Sequence, residues 1–124
     1  MLKIWGRANS INVQKVLWCC RELAVEYVRI DAGNEFVITK TPEYRELNPN
    51  GLVPTIEDGD FLLWESNVIV RYLAHKAGDG RLFPAATKTR FDADRWMDGL
   101  AGNRVLARLA SPFYPADQDA TCKT

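Results

Sequence analysis

The stretch Leu47–Ser66, LNPNGLVPTIEDGDFLLWES, decides how the rest of the chain is read. Asn48-Pro49-Asn50-Gly51 is a turn cluster in which proline fixes one φ and glycine supplies a positive one. The apolar run Leu52-Val53-Pro54-Thr55-Ile56 follows at once. A proline there removes a ladder donor, so Pro54 belongs at the start of a strand, on an edge, at a bulge or at a cis bond. Glu57-Asp58-Gly59-Asp60 then places Asp-Gly before Phe61-Leu62-Leu63-Trp64, which predicts a β-hairpin whose first strand opens at Pro54. Glu65-Ser66 precedes the apolar-periodic run Asn67 to Leu73, so a helix is expected to start there with Ser66 at or near its N-cap.

Upstream, Leu2 to Trp5 reads as a short strand ending at Gly6, and Gly6-Arg7-Ala8-Asn9-Ser10 as a loop. Val13, Val16, Leu17, Cys20, Leu23 and Ala24 recur at helical spacing, which predicts an amphipathic helix from Asn12 to about Leu23, with Gln14, Lys15, Arg21 and Glu22 facing water. Val25 to Asp31 alternates and reads as a second strand with one buried face, closing a right-handed βαβ unit. Ala32 to Thr41 reads as a mobile loop, and Pro42 to Leu47 as a short helix capped by Thr41.

Downstream, Val68, Ile69, Tyr72 and Leu73 define the expected buried face of a helix that ends at Gly78-Asp79-Gly80. Arg81 to Pro84 is a connector. Thr87 to Leu100 is helical again, with Phe91, Trp96, Met97 and Leu100 apolar. Gly102 and Asn103 weaken that helix, Val105, Leu106 and Leu109 restart it, and Ser111-Pro112 with Pro115 stop it.

At 124 residues the chain is about one domain long, and 47% hydrophobic with 26% charged residues is ordinary for a globular protein. Sixteen basic residues balance 16 acidic ones, so no global field favours nucleic acid or an anionic membrane. No segment approaches the ~18 apolar residues of a spanning helix, and the N-terminus lacks a signal-like apolar core, so a cytoplasmic location is expected. Cys19, Cys20 and Cys122 lack metal-ligand spacing and His75 is the sole histidine, so neither a disulfide framework nor a metal site is expected. Cys19 and Cys20 read as structural, and His75 as a surface residue near a helix C-terminus.

The order β, α, β, short α, β, β, α implies an α/β sandwich of thioredoxin-like type. Its motifs resemble the N-terminal domain of cytosolic glutathione transferases from about Met1 to Asp98, most specifically at Asn48-Pro49-x-Gly51-x-Val53-Pro54, Glu65-Ser66 and Tyr72-Leu73. The resemblance implies a cis-Pro54, backbone pairing of Val53 with the cysteinyl part of glutathione, and a γ-glutamyl site at Glu65 and Ser66. An exposed helix start suits that carboxylate. Ser10-x-x-x-x-Lys15-Val16 resembles the arrangement of phi- and theta-like or bacterial serine-type members, in which the serine donates to the glutathione sulfur; taken alone, Ser10 is an ordinary helix cap. Asn12 is the alternative activating residue. Lys40 matches a basic position that contacts the glycyl carboxylate in some classes.

The resemblance implies domains at 1–78 (glutathione-binding), 79–86 (linker) and 87–124, the last being one or two helices of a shortened all-helical part with Trp96 and Met97 packed between the domains. It implies glutathione as co-substrate and a small electrophilic substrate for conjugation or thiol-dependent reduction. Apolar residues left uncovered by the shortened part, including Phe91, would favour a homodimer. The second reading is a catalytically weak or inactive glutathione-binding module.

Overall fold

The computed structural model describes residues 1–101. The helix restart at Val105, Leu106 and Leu109, the stops at Pro112 and Pro115, and Cys122 lie outside them. In chain order the elements are β1 (Leu2–Trp5), α1 (Ile11–Glu22), β2 (Tyr27–Ile30), α2 (Pro42–Leu47), β3 (Thr55–Asp58), β4 (Phe61–Trp64), α3 (Ser66–Ala77) and α4 (Thr87–Ala101). The strands form one four-stranded sheet in the order β2-β1-β3-β4. β1 runs parallel to β2 and antiparallel to β3, which pairs antiparallel with β4. This is the thioredoxin-like arrangement that the element order implies.

Alternation along the strands sorts the core into two layers. Leu2, Ile4 and Ile56 point to the side where Val16, Cys19 and Cys20 of α1 meet Ile69 and Leu73 of α3. On the opposite face, Trp5 stacks edge-on against Tyr44 of α2, with ring centroids 5.9 Å apart. Val13, Ala32, Tyr44 and Val53 form a second cluster there. Burying each large apolar side chain contributes about 1.5–3 kcal/mol. α1 crosses the end of β1 so closely that a Cβ added to Gly6 would lie 2.3 Å from Val13 Cγ2.

Several local expectations differ from the structure. β2 is an edge strand, and Tyr27 and Val28 are both exposed, so its alternation does not mark a buried face. The segment 32–41 is built rather than loose: Gly33 and Phe36 exchange backbone hydrogen bonds and Val37–Lys40 forms a 3-10 turn. Val68 is exposed, because the inward side of α3 runs through Ser66, Ile69 and Leu73. Trp96 is 59% exposed, whereas Met97 is partly buried and its carbonyl accepts from Asn67 Nδ2. Arg71 on α3 holds Asp94 and Asp98 on α4 at 2.6 and 2.7 Å.

Cys19 and Cys20 are buried, as a structural reading requires. Burial pushes both thiols up, Cys20 to about 11, with Cys19 adding to the rise at Cys20. Near neutral pH they are protonated and poor nucleophiles.

The turn before β3 is closed by a buried polar knot. Tyr44 Oη donates to the Leu52 carbonyl at 2.6 Å and meets Thr55 Oγ1 at 2.8 Å. Asn48 Nδ2 donates to the same carbonyl and the same hydroxyl, both at 3.1 Å, while Asn48 Oδ1 accepts from the Asn50 backbone N–H at 2.9 Å. Tyr44, Asn48 and Thr55 are each at most 2% exposed. Burial pushes the Tyr44 phenol up, opposed by its bond to Thr55. Leu52 O accepts from both Tyr44 and Asn48, while Thr55 Oγ1 accepts from Asn48 and donates to Tyr44 Oη, so losing either donor leaves the Leu52 carbonyl another. Urea unfolding should therefore show costs of about 1–2 kcal/mol for Tyr44→Phe and about 2–3 kcal/mol for Asn48→Ala. The double variant should cost more than the sum, because only then is the Leu52 carbonyl stripped of both donors. Strict additivity would contradict this redundancy.

Candidate functional site

Three elements converge at the carboxyl side of the knot. The Val53–Pro54 peptide is cis, which turns the chain sharply into β3 and leaves Val53 and Pro54 on the wall of a cleft of about 260 Å³. Asn12, in the first turn of α1, and Glu65 with Ser66, at the start of α3, line it from the other sides. Asn48, Asn50, Leu52 and Trp64 complete the wall.

The start of α3 is not built as the sequence suggests. Glu65, not Ser66, occupies the cap position; its side chain makes no capping bond and its backbone sits at φ 81°, ψ 109°. That region is sparsely populated for anything but glycine, and such strain costs on the order of 1–3 kcal/mol. Ser66 is the first helical residue, 5% exposed, and its Oγ donates to Asn12 Oδ1 at 3.5 Å. Lacking a side-chain cap from Glu65, the first N–H groups of α3 present partial positive charge beside the cleft. The site thus offers a carboxylate at Glu65, a hydroxyl at Ser66 and a helix start, a set suited to a ligand carrying both an ammonium and a carboxylate.

The residues singled out from the sequence separate into two groups. Asn12, Val53, Pro54, Glu65 and Ser66 come together around one cleft. Ser10 does not line it: it is fully buried and its Oγ accepts from the Val13 N–H at 3.4 Å, as the N-cap of α1. Lys40 is exposed at the end of the 3-10 turn and also lies off the cleft lining. Among the described residues no group of His, Cys, Asp and Glu is placed to hold a metal ion. No helix among them is long and apolar enough to cross a membrane.

Three residues near the site had no role assigned from the sequence. Asn48 read only as part of a turn, yet it anchors the wall. Lys15 read as a solvent-facing residue and is exposed, and its Nζ also donates to Asn67 Oδ1 at 2.9 Å. Its position three residues after Asn12, on the same side of the helix, was the available signal. Arg7 read as loop and lies in one, but it is 3% exposed, and its Nε and Nη1 have no hydrogen-bond partner among the described residues.

A sheet with a cis-proline at the head of β3, facing the start of the helix after the hairpin, defines a thioredoxin-like domain with a cleft on that edge. The chain belongs to the glutathione S-transferase family: the family's N-terminal domain matches residues 9–76. It is 48% identical to glutathione S-transferase GstB of Escherichia coli (strain K12), over 99% of this chain and 65% of that protein. It is 36% identical to glutathione S-transferase F12 of Arabidopsis thaliana, over 79% of this chain and 47% of that one. The chain therefore spans about two thirds or less of these relatives' lengths. Among solved structures it is similar to the theta class glutathione S-transferase of Xanthomonas axonopodis pv. citri with glutathione bound. The TM-score is 0.82 and the identity 42%, over 98% of this chain and 62% of that one.

The strain at Glu65 gives a measurable expectation. Glu65→Gly should raise stability by about 1 kcal/mol in thermal or urea unfolding, since glycine adopts φ 81° without a Cβ penalty. Glu65→Ala should give no such gain. Equal effects of the two substitutions would show that the backbone is not strained there.

Proposed function

We propose that this protein binds glutathione in the cleft between Val53 and the start of α3 and activates its thiol for conjugation to small electrophiles or for thiol-dependent reduction. The observation that carries this reading is the convergence of Asn12, Val53, Pro54, Glu65 and Ser66 on one cleft in a chain of this family. The neighbour from Xanthomonas, solved with glutathione bound, supports the choice of ligand.

The chemistry divides along the ligand. The exposed Glu65 carboxylate accepts from the γ-glutamyl ammonium, and the Ser66 hydroxyl with the first N–H groups of α3 takes the α-carboxylate. The backbone N–H and C=O of Val53 pair with the cysteinyl residue in strand-like fashion, as an extended peptide adds to an exposed edge. The sulfur then lies toward the start of α1. Asn12, which lines the cleft, donates to the thiolate there, and Ser10 acts as the helix cap that holds Asn12 in place. A donor beside a helix start favours the thiolate, which is the nucleophile. Lys40 is retained only as a long-range attraction for the glycyl carboxylate.

Residues 1–78 act as the glutathione-binding domain, 79–86 as a linker and 87–124 as a C-terminal segment, of which α4 is the described part, on the electrophile side. The exposed Phe91 and Trp96 support self-association into a homodimer. A cytoplasmic setting fits a soluble thiol ligand. The second reading is a glutathione-binding module with little or no turnover.

Titration calorimetry with glutathione and a conjugation assay on an aromatic electrophile separate the readings: binding with turnover supports the enzyme, binding alone the module, and no binding at millimolar glutathione refutes both. The ultraviolet absorbance of bound thiolate followed against pH tests the activating residue. Asn12→Ala should raise the thiol pKa of bound glutathione by about one unit, near the ~1.4 kcal/mol of a hydrogen bond to a charged group. Ser10→Ala should move that pKa much less than Asn12→Ala does and cost about 1 kcal/mol of stability through the lost cap. The reverse pattern would return the activating role to Ser10.

A further inference from the structure

Lys15 is a cation beside the cleft, bonded to Asn67 and within electrostatic reach of Glu65. It lies three residues past Asn12 on α1, on the side of that helix that packs against α3. Its Nζ is held 2.9 Å from Oδ1 of Asn67, the second residue of α3. The Asn67 amide is fixed from its other end, where Nδ2 donates to the Met97 carbonyl of α4 at 3.4 Å. Asn67 is 7% exposed, so its orientation, and with it the position of the ammonium, is set by packing on both sides. Lys15 is exposed as a residue, yet partial loss of water around it pulls its pKa below the usual lysine range, against the charge of Glu65, which raises it. An ammonium is thus maintained next to the first turn of α3, within electrostatic reach of Glu65.

We infer that Lys15 is a specificity-determining cation for the γ-glutamyl end of the ligand, favouring an α-carboxylate at the start of α3 while Glu65 favours the neighbouring ammonium. This rests on the glutathione reading above. Glu65, at the cap position of α3, repels the carboxylate that the helix N–H groups attract. Lys15 offsets that repulsion across a short distance without itself occupying the cleft wall. Its contribution is electrostatic, so it depends on charge sign rather than on shape. Arginine should replace it and methionine should not.

Three ligands resolve the role: glutathione; glutaryl-cysteinyl-glycine, which keeps the α-carboxylate and lacks the ammonium; and 4-aminobutyryl-cysteinyl-glycine, which keeps the ammonium and lacks the carboxylate. Calorimetric titration of the wild-type chain, Lys15→Met and Lys15→Arg at low ionic strength should show Lys15→Met losing about five- to tenfold in affinity for the first two ligands, the range expected for one charge at several ångströms in a partly solvated site. The third ligand should bind Lys15→Met as well as or better than the wild type, because a like charge is removed. Lys15→Arg should restore the wild-type pattern. A uniform loss across all three ligands, or no change for any, overturns the inference while leaving the glutathione reading intact. Failure of the wild-type chain to bind glutathione overturns that reading, and this inference with it.

Discussion

The site depends on the hydrogen bonds among Tyr44, Asn48, Leu52 and Thr55. Two side chains from the α2 region reach across the turn and hold the Leu52 carbonyl and the Thr55 hydroxyl on either side of the cis Val53–Pro54 peptide. The groups concerned lie in the low-dielectric interior, where an unpaired polar atom costs about 1–3 kcal/mol. The knot therefore does more than add stability. Rotating the backbone of Val53 away from the cleft would break these bonds on either side of it. β3 begins immediately afterwards and pairs on both sides, so the position of the turn is fixed relative to the whole sheet.

The other half of the site depends on α3, and α3 is placed by packing on the opposite face. Ile69 and Leu73 seat it against α1 and the sheet, while Tyr72 and Lys76 reach back to Asp58 at the end of β3. Those last two donors hold the Asp58 carboxyl below the usual carboxylate range, Lys76 first and Tyr72 second. Helix and hairpin are thus tied together, which brings the strained Glu65 backbone to the cleft. Local strain at a binding position, with stabilising contacts around it, is the pattern expected where recognition requires a geometry that the residue itself disfavours. α1 contributes the third wall, and its cap at Ser10 sets where Asn12 emerges.

Much of this was legible in the sequence because the decisive signals are local. Proline after an apolar residue, Asp-Gly between two apolar runs and helical periodicity from Val13 to Cys20 each act over a few residues, and the corresponding elements formed within one or two positions of those expected. The candidate site was legible as residue types through resemblance, and Asn12, Val53, Pro54, Glu65 and Ser66 do meet. What was not legible depends on long-range packing. Nothing local to Val25–Asp31 says that β2 ends on the sheet's edge. Glu65's positive φ arises from joining β4 to α3 at a fixed angle, not from its own preference. Ser10 reads equally as a cap or as a thiol donor, and that it caps α1 off the cleft lining follows from packing, not from its local sequence. Lys15 faces solvent as its spacing says, and only the packing of α3 on α1 brings Asn67 to its ammonium.

The central claim is that the Val53 backbone and the start of α3 form one ligand surface. Amide chemical-shift mapping of the isotope-labelled chain during glutathione titration tests it most directly. The account predicts that the largest saturable shifts fall on Val53, Ser66 and Asn67, with the Asn12 side-chain amide moving as well. Saturable shifts centred elsewhere, or none at millimolar glutathione with the fold intact, would contradict it.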